Sequence, residues 1–143
     1  MARLRPETPA GNGEMVLEPP FDEWAGLVAS TRLAREGWAF EVGGLSVADL
    51  SGLARTEACE AAAAYSERLG VPVAPPGDPA GPLVMTGHQP ELYHPGVWVK
   101  DFLLQRLAHE VGATAIDAVV DTDSFNALSI EAPCMRPEVH RCR

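Results

Sequence analysis

The chain has 143 residues with 20 acidic against 11 basic side chains, a formal net charge of −9 and a pI near 4.8, which suits one ordinary domain or part of a larger one. That balance argues against nucleic acid and against an anionic membrane surface, because both need a basic face. A hydrophobic content of 46% argues against wholesale disorder, and no apolar run approaches the roughly 18 residues of a membrane span.

The N-terminus, MARLRPETPAGNGE, carries two arginines but no apolar stretch after them, so it does not read as a secretory signal and a cytoplasmic protein is expected. Cys59, Cys134 and Cys142 are widely spaced and form no CxxC pair, which suits reduced thiols. Residues 1–20, rich in proline, glycine and charge, read as a flexible leader. From Phe21 the spacing of Trp24, Leu27, Val28 and Leu33 predicts a helix up to Gly37. After the Gly43-Gly44 break, Ser46 and Asp49 resemble a capping box. They open a second helix to about Leu69, with Val47, Leu50, Ala54, Ala58, Ala61 and Tyr65 on one face. Residues 21–70 thus read as a helical hairpin with a scaffold role.

Five prolines within residues 72–82 exclude helix and central strand, so residues 71–82 are a linker and a boundary. Residues 83–143 then change grammar. LVMT reads as a strand, and TGHQPELYHPG as a loop. VWVKDFLLQRLAHEV reads as an amphipathic helix, with Trp98, Phe102, Leu103, Leu107 and Val111 inward and Asp101, Gln105, Arg106 and Glu110 outward. Gly112 stops it. AIDAVV is a second strand, DTDSF a second loop, and ALSI a candidate third strand; the closing PCMRPEVHRCR reads as unstructured. The expected fold class is α/β, a helical hairpin followed by an incomplete Rossmann-like parallel βαβ unit. So few parallel strands leave bare edges, from which we expect either the N-terminal part of a longer protein or a homodimer paired through the open sheet edge.

Ligands of open α/β sheets bind beyond the carboxyl ends of the strands, where both loops fall. His88, Gln89, His94, Asp121 and Asp123 are therefore expected to face one crevice. The helix start near Gly96 favours an anion, Lys100 supplies a counter-charge to it, and Gly87 and Gly96 allow a ligand close to the backbone. The histidines admit three readings: metal ligands with Asp121 and Asp123, hydrogen-bonding or acid–base groups, or a structural loop network. Their five-residue separation matches no strong metal signature, so no metal is assigned. Asp121 and Asp123 suit a hydroxylated sugar or an amine, or cap a turn.

The run VMTGHQPELYHPGVWVKDFLLQRLA, followed by VVDTDSF, resembles the start of the catalytic domain of the bacillithiol synthase family. Thr86, Gly87 and Gln89 match that family's T-G-Q-Q loop, with His88 in place of a glutamine. Leu92 and Tyr93 match its Leu-Phe, Lys100 its helix lysine, and Asp121 to Phe125 approximate its acidic loop. His94-Pro95-Gly96 stands where the H-x-G-H of related nucleotidyltransferases would begin, with Val97 in place of the final histidine. A closer likeness is to a group of longer bacterial proteins, without an assigned activity, that carry G-H-Q-P-E-L-[FY]-H-P-G-V-W and a PP-x-x-EW helix like residues 19–24.

The resemblance implies a ligase or transferase joining an amine-bearing small molecule to an activated or sugar-like acceptor, with ATP or ADP as candidate cofactor. His88, His94, Asp121 and Asp123 would be its catalytic residues, and Thr86, Gly87, Gln89, Gly96 and Lys100 its ligand contacts. A non-enzymatic binding or dimerisation module is the alternative.

Overall fold

The structure is a computed structural model and describes residues 9–74, 78, 80–90, 95–120, 122, 132–136 and 138–142. His94, Asp121 and Asp123, with Leu92, Tyr93, Phe125 and the ALSI run, lie outside the described residues.

A 3-10 turn at Phe21–Glu23 leads into α1 (Trp24–Glu36), which ends at Gly37. The start is fixed by side chains: Trp24 Nε1–H donates to the Pro19 carbonyl at 2.8 Å, and the Phe21 and Trp24 rings pack 5.1 Å apart. The antiparallel strands β1 (Glu41–Val42) and β2 (Leu45–Ser46) turn through Gly43 and Gly44. Both glycines have positive φ, 61° and 82°, as a two-residue hairpin of matching twist requires. Next comes α2 (Val47–Arg68). Its expected cap is present: the Asp49 N–H donates to Ser46 Oγ at 3.1 Å, and the Ser46 hydroxyl donates to Asp49 Oδ2 at 2.6 Å. Such a cap contributes about 1 kcal/mol.

The face of α2 is the expected one in part: Val47, Leu50 and Ala58 are half-buried, but Ala54, Ala61 and Tyr65 are exposed and Ser51, Arg55, Cys59 and Ala62 are half-buried beside them. Arg55 explains the difference. Its Nη2 donates to the carbonyls of Asp78 (3.2 Å) and Pro82 (3.5 Å) and to Thr114 Oγ1 (3.3 Å), which ties α2 to the starts of two later strands. The helix α1 packs on a third helix, α3 (Pro95–Val111).

β3 (Leu83–His88), α3 (Pro95–Val111) and β4 (Thr114–Val119) form a parallel βαβ unit, with Thr86 opposite Asp117 and His88 opposite Val119. The fold is therefore α/β, and this unit is the repeating piece of Rossmann-like sheets. Proline at the first helical position of α3 suits its fixed φ. The expected stop at Gly112 has φ 62°, and the Ala113 N–H reaches back to the Ala108 carbonyl at 2.8 Å. β3 extends two residues past the apolar run LVMT, so Gly87 and His88 belong to a strand instead of a loop. The segment expected to be unstructured instead forms an antiparallel hairpin, β5 (Ala132–Arg136) and β6 (Glu138–Cys142).

Among the described residues, the buried apolar ones are Leu107, Ala108 and Ile116. The face of α3 also departs from expectation. Phe102 is 69% exposed and Trp98 40%, whereas Asp101 is half-buried. No helix among the described residues is long and apolar enough to cross a membrane.

Candidate functional site

Side chains alternate across a strand, and paired residues of parallel neighbours share a face. Thr86, His88 and Asp117 consequently stand on one face of the β3–β4 pair, and Thr114 and Ile116 on the other. α3 crosses the first face, because its Asp101 meets His88 and Asp117 there: one ligand-type atom from each of the three lies within 4.8 Å of the others. The cluster sits at the carboxyl ends of the strands. The Val120 N–H donates to the His88 carbonyl at 2.9 Å, so pairing continues to the last residue of β3 and holds the imidazole in place.

The His88 side chain is 5% exposed and that of Asp117 39%, so the pair bridges interior and solvent. Imidazole Nδ1 lies 2.9 Å from the Gln89 carbonyl and Nε2 lies 2.8 Å from Asp117 Oδ2. Acceptor oxygens beside both ring nitrogens favour the doubly protonated ring. Burial, the strongest single influence, favours the neutral form. The Gln89 carbonyl, the Asp117 carboxylate and the charge of Asp101 together outweigh it, and the pKa of His88 is raised above its ordinary 6.5. Asp101 Oδ1 is buried and has no hydrogen-bond partner among the described residues.

Lys100 is on the first turns of α3, and its Nζ donates to the Gly87 carbonyl at 3.1 Å. The sequence placed this ammonium as a counter-charge to a bound anion. The strand end already accepts one of its three protons, which leaves two for a ligand. Thr86, Gly96 and Lys100 also line an open groove of about 950 Å³, whose other wall includes Glu14, Val16 and Trp24. This groove runs beside the free flank of β3; His88, Asp101 and Asp117 do not line it.

Of the residues expected to form the site, the structure thus brings Thr86, Gly87, His88, Gln89, Gly96 and Lys100 to one end of the parallel pair. Asp101 and Asp117 were missed. Asp101 falls in the polar stripe of an amphipathic helix, which normally faces water. Asp117 did leave a signal: it is a lone carboxylate inside the apolar run AIDAVV, where a charge needs a partner.

These features define a class, an α/β protein with a charged cluster at the ligand end of a parallel βαβ unit. Comparison of the chain with protein-family models, with curated proteins and with solved structures finds no match in any of the three.

Proposed function

We propose that the carboxyl end of the β3–β4 pair binds a small molecule carrying a phosphate or carboxylate group, as the ligand-holding part of a ligase or transferase similar to bacillithiol synthase. The observation that carries this reading is His88, a nearly buried imidazole held between two acceptors at a strand end, with the Lys100 ammonium and the start of α3 directed to the same end. A nearly buried polar ring held by two acceptors is expensive to maintain for packing alone, since an apolar side chain would fill the same volume. Its position is where open parallel sheets hold ligands.

Within such a site Lys100 donates to anionic oxygens, while the Gln89 carbonyl and the Asp117 carboxylate fix the orientation of the His88 ring beside them. Thr86, Gly87 and Gln89 frame the ligand as the resemblance implies. Nucleotides such as ATP or ADP and amino sugars are the substrate classes to try first. Isothermal titration of the chain with ATP, ADP and glucosamine phosphate tests the reading. Binding of any of the three that falls at least tenfold in Lys100→Met supports it; a folded chain that binds none of them overturns it.

A second reading is favoured by the edges of the sheet. Among the described residues β3 and β4 pair only with each other, and Met85, Val119 and Val120 are about half exposed. Two copies pairing through these edges would give a dimer by light scattering and no ligand response.

A further inference from the structure

We infer that His88, Asp101 and Asp117 form a binding site for a divalent transition-metal ion, with His88 Nε2 and one oxygen from each carboxylate as its protein ligands. Three observations converge. Their ligand atoms lie within 4.8 Å of one another, and bonds of about 2.1 Å put neighbouring and opposite ligand atoms about 3 to 4 Å apart. The cluster closes around an ion with small side-chain rotations.

Second, Nδ1–H is committed to the Gln89 carbonyl at 2.9 Å. A metal-bound histidine almost always anchors its other ring nitrogen in this way, which fixes the tautomer and leaves Nε2 for the ion. Nε2 and Asp117 Oδ2 face each other at 2.8 Å, so two of the ligand atoms already converge on one point. Third, Asp101 Oδ1 is buried without a hydrogen-bond partner among the described residues. A buried carboxylate oxygen in that condition costs free energy that a cation would recover.

The 39% exposure of the Asp117 side chain supplies an entry path and leaves room for water or substrate oxygens on the ion. One nitrogen and two carboxylate oxygens suit manganese or zinc better than calcium or magnesium. The ion takes the place of the Nε2 proton, so each ion bound releases one proton to solvent and His88 becomes neutral. The Lys100 ammonium and the ion would then face the same ligand anion from two sides. The inference does not depend on the nucleotide or sugar reading, because it concerns the ion alone.

The experiment is titration of the EDTA-treated, dialysed 143-residue chain with manganese(II) chloride, without any nucleotide. It is followed by the loss of the free-ion electron paramagnetic resonance signal and by broadening of the His88 imidazole resonances. Manganese is chosen because its preference for carboxylate over thiolate keeps the cysteines out of the measurement. The expected result is one ion per chain, selective broadening of His88, and affinity reduced at least tenfold in each of Asp101→Asn and Asp117→Asn. Because Asp117 is partly exposed, Asp117→Asn keeps the fold even where Asp101→Asn does not. No signal loss at millimolar ion, or binding with undiminished affinity in Asp117→Asn, overturns the inference. A failed nucleotide titration with a positive manganese titration removes the proposed ligand and leaves the metal site standing.

Discussion

At the amino end of the β3–β4 pair, the Arg55 guanidinium lies against two backbone carbonyls and the Thr114 hydroxyl, all neutral acceptors that close around it. At the carboxyl end, the His88 imidazole and the Lys100 ammonium meet Asp117, Asp101 and two carbonyls, and the buried Asp101 Oδ1 accepts nothing from the described residues. Both ends carry half-buried charge. The difference is that Arg55 meets only neutral acceptors, whereas the carboxyl end gathers side chains of both signs around a buried carboxylate oxygen with no partner among the described residues. Charge at the amino end therefore ties elements together, while charge at the carboxyl end is where the proposed ligand and ion would bind.

Packing follows the same division. α3 runs back over the strands, so its last turns, with Leu107 and Ala108, lie toward the amino end and supply the buried apolar surface. There the chain passes close to itself. A Cβ on Gly81 would sit 3.1 Å from the Asp78 carbonyl oxygen and 3.2 Å from that of Gly112. Gly87, at the other end, would meet only an ordinary contact with the Ala118 carbonyl at 3.4 Å.

The sharpest way to break this contrast is Leu107→Ala, which empties part of the amino-end core. It is expected to cost about 2–3 kcal/mol in urea unfolding. A loss below about 1 kcal/mol would show that Leu107 is not core. Arg55→Met keeps the aliphatic stem and removes the three bonds; we expect a loss of about 1–2 kcal/mol by the same measurement, with ligand and metal binding unchanged. Weakened binding in that variant would mean the two ends are not separable. Gly81→Ala should cost about 1 kcal/mol, because two backbone carbonyls must give way, whereas Gly87→Ala should cost less than half of that in thermal melts.

The carboxyl end should instead reveal itself through pH. The folded pKa of His88 is raised above the unfolded value of about 6.5. Its contribution to stability is therefore complete below pH 6.5 and is lost as pH rises through the higher folded value. EDTA-treated protein should unfold at lower temperature at pH 8.5 than at pH 6, and Asp117→Asn should flatten that difference while changing stability little at pH 8.5. An unchanged pH profile in Asp117→Asn would remove the His88–Asp117 pair as its cause. The smallest effect belongs to Phe102→Ser: with the ring 69% exposed, a change within about 0.5 kcal/mol is expected.

Much of the architecture was legible because local rules govern it. The Ser46–Asp49 cap, the glycine stops of the helices and the paired glycines 43 and 44 depend on neighbours within four residues. The switch from strand to helix periods located β3, α3 and β4. Half of the candidate site was legible too. Gly87, His88, Gln89, Gly96 and Lys100 share one short segment, and the rule for open α/β sheets points to it.

What the sequence left open are the choices made between segments distant in the chain. An amphipathic helix has several apolar directions, and which one turns inward depends on what it crosses. α3 crosses a strand end that carries His88, so Asp101 goes in and Phe102 goes out. α2 answers to the acceptors at the strand starts, so Arg55 goes in and Tyr65 goes out. The meeting of His88 with Asp117, 29 positions along the chain, exists only because β3 and β4 pair in parallel with Thr86 opposite Asp117. Sequence by itself located the three helices and the β3–β4 strands, since propensity and capping act over a single turn, but not the β5–β6 hairpin. Tertiary structure decided which charges share a site, since electrostatic partnership depends on distance in space and on burial.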